Sequence, residues 1–589
     1  MSESRLRGLW RLLQGYRFAY FVAAISLGLA AASRSTVYLL LAFFVDDVLG
    51  TTGFGPQVPL VALGFVGLAV IQGVFTYLSG QLAGKTAESV TQRVRNYIYD
   101  HIQRLSFVYH DKTRTGELIQ RATSDIDAVR RFFAQEAIGF GRITMLFLAN
   151  FAALLLINTK LALLSVIVVP ITVPLSYFFF KRISDAYESF QEQDALLSSV
   201  LQENLSGVRV VKAFARQDYE RGKFETENWE KFLRGRKLLL LHSYFWPTSD
   251  ILTGAQMLFG FYTGAIMTIN GIISLGDYLA YAGLLVWIIW PIRNLGRIIV
   301  QMSTGLVSFS RVTDVVREER EPLNTGDYLP DEPPKGAIEF KQVSFEYEAD
   351  AQVLKDVSFA CEAGQMVALL GSTGSGKTTL VNLLPRFYDY SEGSIKLDGV
   401  ELNRYPKHYL RTHIGIVQQE PFLFSRTIRE NIRYSVGRDV SDEEVEEAAK
   451  AAAVHEVILT FPKGYDTLVG ERGVTLSGGQ KQRVTLARTL LKNPRILILD
   501  DATSSVDTET EAAIRTALGG LMDTRTTFLI AHRIQSVMMA DLILVFDEGK
   551  VVQQGTHGQL LRQKGIYRDV FDIQTQIEEE VEREVSTVK

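Results

Sequence analysis

Cysteine is almost missing from this chain. One residue, Cys361, stands among 589, which excludes an intramolecular disulfide and any cysteine-rich metal site. The pattern around Cys361 is apolar and strand-like, so a buried strand thiol is expected. An excess of either charge is missing too. Lysine and arginine number 62 against 66 acids, for a net charge of −4, and nothing calls for a nucleic-acid partner, which would need a basic face. A secretory leader is not indicated either: Met1 to Tyr16 carries Arg5, Arg7 and Arg11 among leucines and Trp10, as in an amphipathic helix lying on a membrane surface. The apolar run after it is far longer than a signal-peptide core.

What is there is hydrophobic residue at 47%, unevenly placed. Long apolar runs fill roughly the first 300 residues, and roughly the last 250 read as soluble protein. Six stretches reach the ~20 residues that cross ~30 Å of hydrocarbon as helix: Phe18 to Val45, Val58 to Ala83, Ala137 to Ile157, Leu161 to Phe180, Tyr244 to Ile269 and Leu275 to Ile299. The connections after the second and fourth are long, polar and helical in pattern, about 84–136 and 181–243. Arg93, Arg95, Arg104, Lys112, Arg114, Arg121, Arg130 and Arg131 crowd the first of them. The positive-inside rule then puts both long extensions, both termini and the soluble half in the cytoplasm. The organisation expected is an interfacial helix over 1–16, a helical polytopic membrane domain over 17–320, a proline-rich charged linker over 321–335, an α/β domain over 336–575 and an acidic tail over 576–589.

The strongest motif lies in the α/β part. An apolar strand from Val367 runs into Gly371-Ser372-Thr373-Gly374-Ser375-Gly376-Lys377-Thr378-Thr379, and a helix leaves it. This is a phosphate-binding loop in its required strand–loop–helix context. Its backbone N–H groups turn toward phosphate, and the helix amino terminus favours negative charge. Lys377 suits the β- and γ-phosphates of a nucleotide, and Thr378 suits Mg²⁺. A second apolar strand, Arg495 to Leu499, ends in Asp500 and Asp501, acids at the carboxyl end of a strand, where such sheets bind ligand. Asp500 is expected to serve the Mg²⁺, and Asp501 to face the attacking water.

Between them stands Leu476-Ser477-Gly478-Gly479-Gln480, read as opening a helix that begins near Gln482. With the phosphate loop, this order of motifs resembles that of ATP-binding cassette exporters, in the half-transporter form with six spans preceding one nucleotide domain. The resemblance implies further roles. Tyr347 is similar to the aromatic that stacks on adenine, Gln419 to the glutamine that contacts Mg²⁺ or water, and His532 to the histidine at the γ-phosphate. Ser504 and Asp507 match the loop crossing the dimer interface, and Glu471 lies in a segment like the one that touches a partner's cytoplasmic loop. Thr115 to Asp125 and Glu203 to Ala215 resemble the two regions that couple nucleotide domains to membrane helices. The family pairs two nucleotide domains head to tail, so Leu476 to Gln480 would act on ATP held by the partner half.

Asp501 departs from that family, which has glutamate there. The carboxylate is drawn back by roughly 1 Å, a displacement that costs about 10²-fold in rate. The favoured reading is a heterodimer: this chain holds a slow ATP site and lends its signature to a fast site on a partner with a glutamate base and a variant signature. The alternative is a homodimer in which Asp501 still works; an ATP-gated channel is a further one. The cargo would be an amphipathic or hydrophobic drug, lipid or peptide. Polar residues at membrane depth, Arg34, Gln72, Arg142, Asp250, Gln256, Arg293 and Arg297, and aromatics such as Tyr38, Phe43, Phe44, Tyr262, Trp287 and Trp290, are candidates to meet it or to pair and pack internally.

Overall fold

The computed structural model describes residues 5–49, 57–347, 352–470, 476–501, 525–531 and 533–576. The chain divides into two compact units: one comprises residues 1–104 and 113–319, the other residues 105–112 and 320–589.

The first unit is helical. A short helix α1 (Arg5–Leu12) precedes α2 (Arg17–Phe43), α3 (Gln57–Gln103), α4 (Ala137–Ile157), α5 (Val169–Ser206), α6 (Gln217–Ile269), α7 (Leu275–Ile292) and α8 (Leu295–Arg317). In α1, Leu9 and Leu13 beyond its end are buried while Trp10 is exposed. At 1.5 Å per residue α6 is about 80 Å long, well over twice the hydrocarbon thickness. Among the described residues five helical segments are long and apolar enough to cross a membrane: Arg17–Leu49, Gln57–Gln103, Thr115–Ile157, Thr159–Ser206 and Leu275–Arg317. The chain is a multi-pass membrane protein.

The expected stretch Tyr244 to Ile269 is not among the five. It is helical, as the second half of α6, but Pro247, Asp250, Gln256 and several threonines dilute its apolar character. Two of its polar side chains pair with other helices. Asp250 pairs with Arg293 at 2.6 Å, and Gln256 Nε2 donates to the Leu164 carbonyl at 2.6 Å. The sixth expected span also differs in form, since the chain turns between α7 and α8 just after Pro291.

The second unit holds two sheets. β1 (Ile338–Glu346), β2 (Gln352–Cys361), β4 (Glu392–Leu397) and β5 (Val400–Glu401) form an antiparallel sheet in the order β2-β1-β4-β5. The other sheet runs β10-β9-β3-β8-β7-β6. It contains β3 (Met366–Gly371), β6 (Ile414–Val417), β7 (Ile496–Asp500), β8 (Thr526–Ile530), β9 (Leu542–Asp547) and β10 (Lys550–Gly555). All its pairings are parallel except that of β9 with β10. Strands buried on both faces need continuous apolar runs, and β3 and β7 supply them. Val367, Leu369, Ile496 and Ile498 face one core, while Ala368, Leu370, Leu497 and Leu499 face the other. Cys361 is buried at the end of β2.

Residues 321–335 have no regular secondary structure, yet they are tied down. Glu321 is buried in ion pairs with Arg411 at 2.6 Å and Lys407 at 3.1 Å. The Tyr409 hydroxyl donates to the Glu332 carbonyl at 2.8 Å. Burial alone would raise the Glu321 carboxyl, but the hydrogen bonds and charges of Arg411 and Lys407 outweigh it and hold it below the usual range.

Candidate nucleotide site

Because β3, β6, β7 and β8 are parallel, their carboxyl ends share one edge of the sheet. Four segments far apart in sequence meet there: Gly371 to Thr379, Gln418 and Gln419, Asp500 and Asp501, and Ile530 and Ala531. That is where an open α/β sheet binds ligand.

The loop after β3 takes a shape only small residues permit. Gly374 and Gly376 have φ of +82° and +101°. A Cβ on Gly376 would also come within 2.8 Å of the Leu354 side chain. Gly376 caps the following helix α9 (Lys377–Leu383). Lys377 is buried and its Nζ donates to the carbonyls of Gly371 at 2.9 Å and Ser372 at 2.7 Å. Burial lowers the pKa of this amine, while the nearby Asp500 and Asp501 charges push it back up. A cation so placed is desolvated in advance for a phosphate. The Thr378 hydroxyl donates to Asp500 Oδ2 at 3.1 Å. Hydroxyl and carboxylate oxygens side by side are hard donors of the kind Mg²⁺ takes.

Asp501 is buried and fixed at both ends of its peptide unit. Its N–H donates to the Ile530 carbonyl at 3.0 Å, and Gln482 Nε2 donates to its own carbonyl at 3.3 Å. Its φ is +47°, a left-handed conformation for which aspartate is enriched over most residues. Of the adjacent glutamines it is Gln419 whose Nε2 donates to Asp501 Oδ2, at 3.3 Å.

Tyr347 presents a partly exposed ring whose hydroxyl lies 3.2 Å from Thr379 Oγ1 and which makes a T-shaped contact with Tyr388, centroids 5.0 Å apart. Ser375 and Thr379 are buried, whereas Ser372, Thr373 and Gly374 lie at the surface. The segment Leu476 to Gln480 starts its helix earlier than expected. α10 runs Gly478–Leu491, not from near Gln482. Ser477 is its N-cap: Ser477 Oγ accepts from Gln480 N–H at 3.3 Å, and Gln480 Oε1 accepts from Ser477 N–H at 2.9 Å. This reciprocal capping box fixes the first turn, and it was legible as Ser-x-x-Gln. Gly478 and Gly479 then occupy first-turn positions whose N–H groups have no intrahelical acceptor. His532, Ser504, Asp507 and Glu471 lie outside the described residues.

Two features have no counterpart in the sequence reading. Gln482 is fully buried and holds the Asp501 backbone from α10. The second is the segment Leu105–Lys112, upstream of Thr115 to Asp125, which belongs to the second unit. Phe107 stacks on Phe387, centroids 4.1 Å apart, and Asp111 Oδ2 accepts from the Tyr388 hydroxyl at 2.6 Å. Burial, and then Asp111, push that hydroxyl's pKa well up. The partners stand 277 residues apart in the chain, so no local pattern announces them.

Comparison with known proteins bears on both units. Residues 18–292 match the family model described as ABC transporter transmembrane region, and residues 354–504 match the one described as ABC transporter. The chain is 36% identical to the uncharacterized ABC transporter ATP-binding protein YknU of Bacillus subtilis (strain 168), over 95% of each chain. It is 34% identical to the putative multidrug export ATP-binding/permease protein YgaD of the same organism, over 91% of this chain and 93% of that one. Among solved structures, a bacterial Atm1-family ABC exporter with ATP bound superposes with a TM-score of 0.81 at 27% identity, covering 95% of this chain and 99% of that one.

Proposed function

The chain belongs to the ABC transporter family, as a half-transporter with a helical membrane domain fused to one ATP-binding domain, and on that premise we propose that it drives export of amphipathic or hydrophobic molecules by hydrolysing ATP. The observation that carries the reading is the shared sheet edge where the phosphate loop, Thr378 with Asp500, and Asp501 with Gln419 meet. The resemblance to proteins named for multidrug export supports the direction. The working unit is two halves, as the family resemblance implies, with Leu476 to Gln480 serving the ATP of the other half. Six spans, counting the polar second half of α6, would bring the long helices out on the cytoplasmic side, with both termini.

Lys377 and the loop N–H groups bind and orient the phosphates. Thr378 and Asp500 would hold Mg²⁺, with Gln419 beside them, and the ion neutralises charge on the phosphates when bound. Asp501 takes the proton of the attacking water, and Gln419 and Gln482 keep its carboxylate and backbone in place. Tyr347 offers its ring to the base. His532, Ser504 and Asp507 keep the roles that the family resemblance implies, at the γ-phosphate and at the dimer interface. The exposed tip Val208–Ala213, followed by Phe214 at 73% exposure, would meet the other half.

The homodimer is favoured over the heterodimer that the shortened side chain suggests. Its support is the built environment of Asp501, buried and hydrogen-bonded through side chain and main chain. A slow-site heterodimer keeps one observation on its side, the aspartate itself. The test is the chain purified and reconstituted alone, assayed for ATP hydrolysis and for ATP-dependent accumulation of a neutral amphipathic dye in inside-out vesicles. Turnover and accumulation are expected. Silence that ends only when a second, different half-transporter is added restores the heterodimer, and ATP hydrolysis without any accumulation points to a channel or regulator.

A further inference from the structure

Arg34 sits near the middle of the span Arg17–Leu49, about 25 Å along the axis from Arg17 and about 22 Å short of Leu49 at the helical rise. A guanidinium at that depth is costly unless it is paired, hydrated or facing a polar cavity. Among the described residues no carboxylate pairs with it. Its guanidinium carbon instead lies 3.2 Å from the centroid of the Trp287 ring of α7. The next turn repeats the pairing, with Tyr38 packed on Gly283 so closely that no Cβ would fit there. Stacking uses the flat face of a guanidinium and leaves its in-plane N–H donors free to take a carboxylate, sulfate or phosphate two oxygens at a time.

A neighbouring helix adds a second unmet donor. Ser35 donates to Asn150 Oδ1 on α4 at 2.7 Å. Asn150 is 0% exposed, and its Nδ2 has no acceptor among the described residues. The charges of the spans lean the same way. Asp250 is consumed by Arg293, which leaves Arg34 and Arg142 without a carboxylate among the described residues. A cationic drug would find repulsion here.

We propose that α2, α4 and α7 form a site, centred on Arg34 and Trp287, for the anionic headgroup of an amphipathic cargo. The inference rests on the export reading and names the class of molecule carried: a chain or ring system lying among apolar helices, with a carboxylate, sulfate or phosphate taken by Arg34. A free single-chain amphiphile and an anionic bilayer lipid share this chemistry.

The test uses the full chain in nanodiscs of zwitterionic lipid and three probes of one chain length: dansylaminoundecanoate, its methyl ester and its trimethylammonium analogue. Binding is read by energy transfer from tryptophan. The acid should bind about tenfold or more tightly than the ester, and the ammonium weakest. Arg34→Gln should erase the acid's advantage while leaving ester affinity and ATP binding unchanged, and Arg34→Lys should keep part of it. Equal affinity for acid and ester in the native chain, a preference for the ammonium, or an advantage that survives Arg34→Gln overturns the proposal. Should Arg34→Gln fail to fold, the ranking of the three probes on the native chain still decides. Competition by added phosphatidylglycerol would assign the site to a bilayer lipid, and its absence to a free amphiphile. In inside-out proteoliposomes, ATP-driven uptake of ester and acid alike refutes the anionic cargo and spares export. Acid binding without uptake of any probe supports the site and refutes export.

Discussion

Replacing Asp501 separates the two ways this ATP site can work. The main chain there is held by Ile530 at 3.0 Å and Gln482 at 3.3 Å, so an exchanged side chain cannot drag the backbone far. Asp501→Asn keeps the shape and the contact to Gln419 but removes the base. A positioned general base contributes about 10²- to 10⁴-fold, so kcat should fall at least about 10²-fold while ATP affinity, measured by fluorescence titration, stays put. Asp501→Glu advances the carboxylate by roughly 1 Å, a shift that matters by about 10²-fold when geometry limits the rate. It also places a longer side chain at φ +47°, a conformation in which aspartate is more common than glutamate. If Asp501 is the working base at a site built for it, the glutamate variant should be no faster than the native chain and up to about 10²-fold slower. Steady-state phosphate release by the reconstituted chain reads both variants. The reasoning is refuted if Asp501→Asn hydrolyses ATP as fast as the native chain while Asp501→Glu is faster by about 10²-fold or more, because that pair of results describes a retracted and idle carboxylate.

Phe107→Ala should leave ATP binding intact but lower the stimulation of hydrolysis by amphipathic probes, since it removes the stack on Phe387; unchanged stimulation would deny Leu105–Lys112 a part in coupling. Glu321→Gln removes the carboxylate charge shared by Lys407 and Arg411, although Lys407 keeps Asp389 at 3.6 Å and Arg411 its backbone acceptors, and should cost about 1.5 to 3 kcal/mol, as for hydrogen bonds to a charged group, read as a lower midpoint of denaturant unfolding. The sign of its pH dependence follows from the depressed carboxyl. The Glu321 contribution is complete above the ordinary glutamate value of about 4.3 and is lost as pH falls through the lower folded value, so the gap between native and variant should close only in acid. Cys361, whose thiol burial pushes up to about 11, should resist maleimide at pH 8 until the chain is unfolded; fast labelling of the folded protein would contradict its burial.

The phosphate loop could be read from glycines and a lysine alone, because its chemistry is local: a strand, a turn needing positive φ at Gly374 and Gly376, and a helix. The start of α10 is equally local: the capping box of Ser477 and Gln480 sets it at Gly478, ahead of Gln482. Apolar runs located most of the membrane helices for the same reason. The run Tyr244 to Ile269 is helical within α6 but falls short of the apolar character of the other five, and its Asp250 and Gln256 find their partners, Arg293 and the Leu164 carbonyl, on other helices.

By itself the sequence determined where the phosphate-loop glycines and lysine and the strand-end carboxylates stand in the chain, where the chain is apolar enough to leave water, and that residue 501 is an aspartate. Those are properties of side-chain chemistry and short-range geometry. Tertiary structure alone decided what surrounds Asp501, that Leu105–Lys112 joins the second unit through Phe387 and Tyr388, and that Arg34 meets Trp287 in place of a carboxylate. Such contacts close loops of tens to hundreds of residues, and their energies depend on burial and on distances that no local pattern encodes.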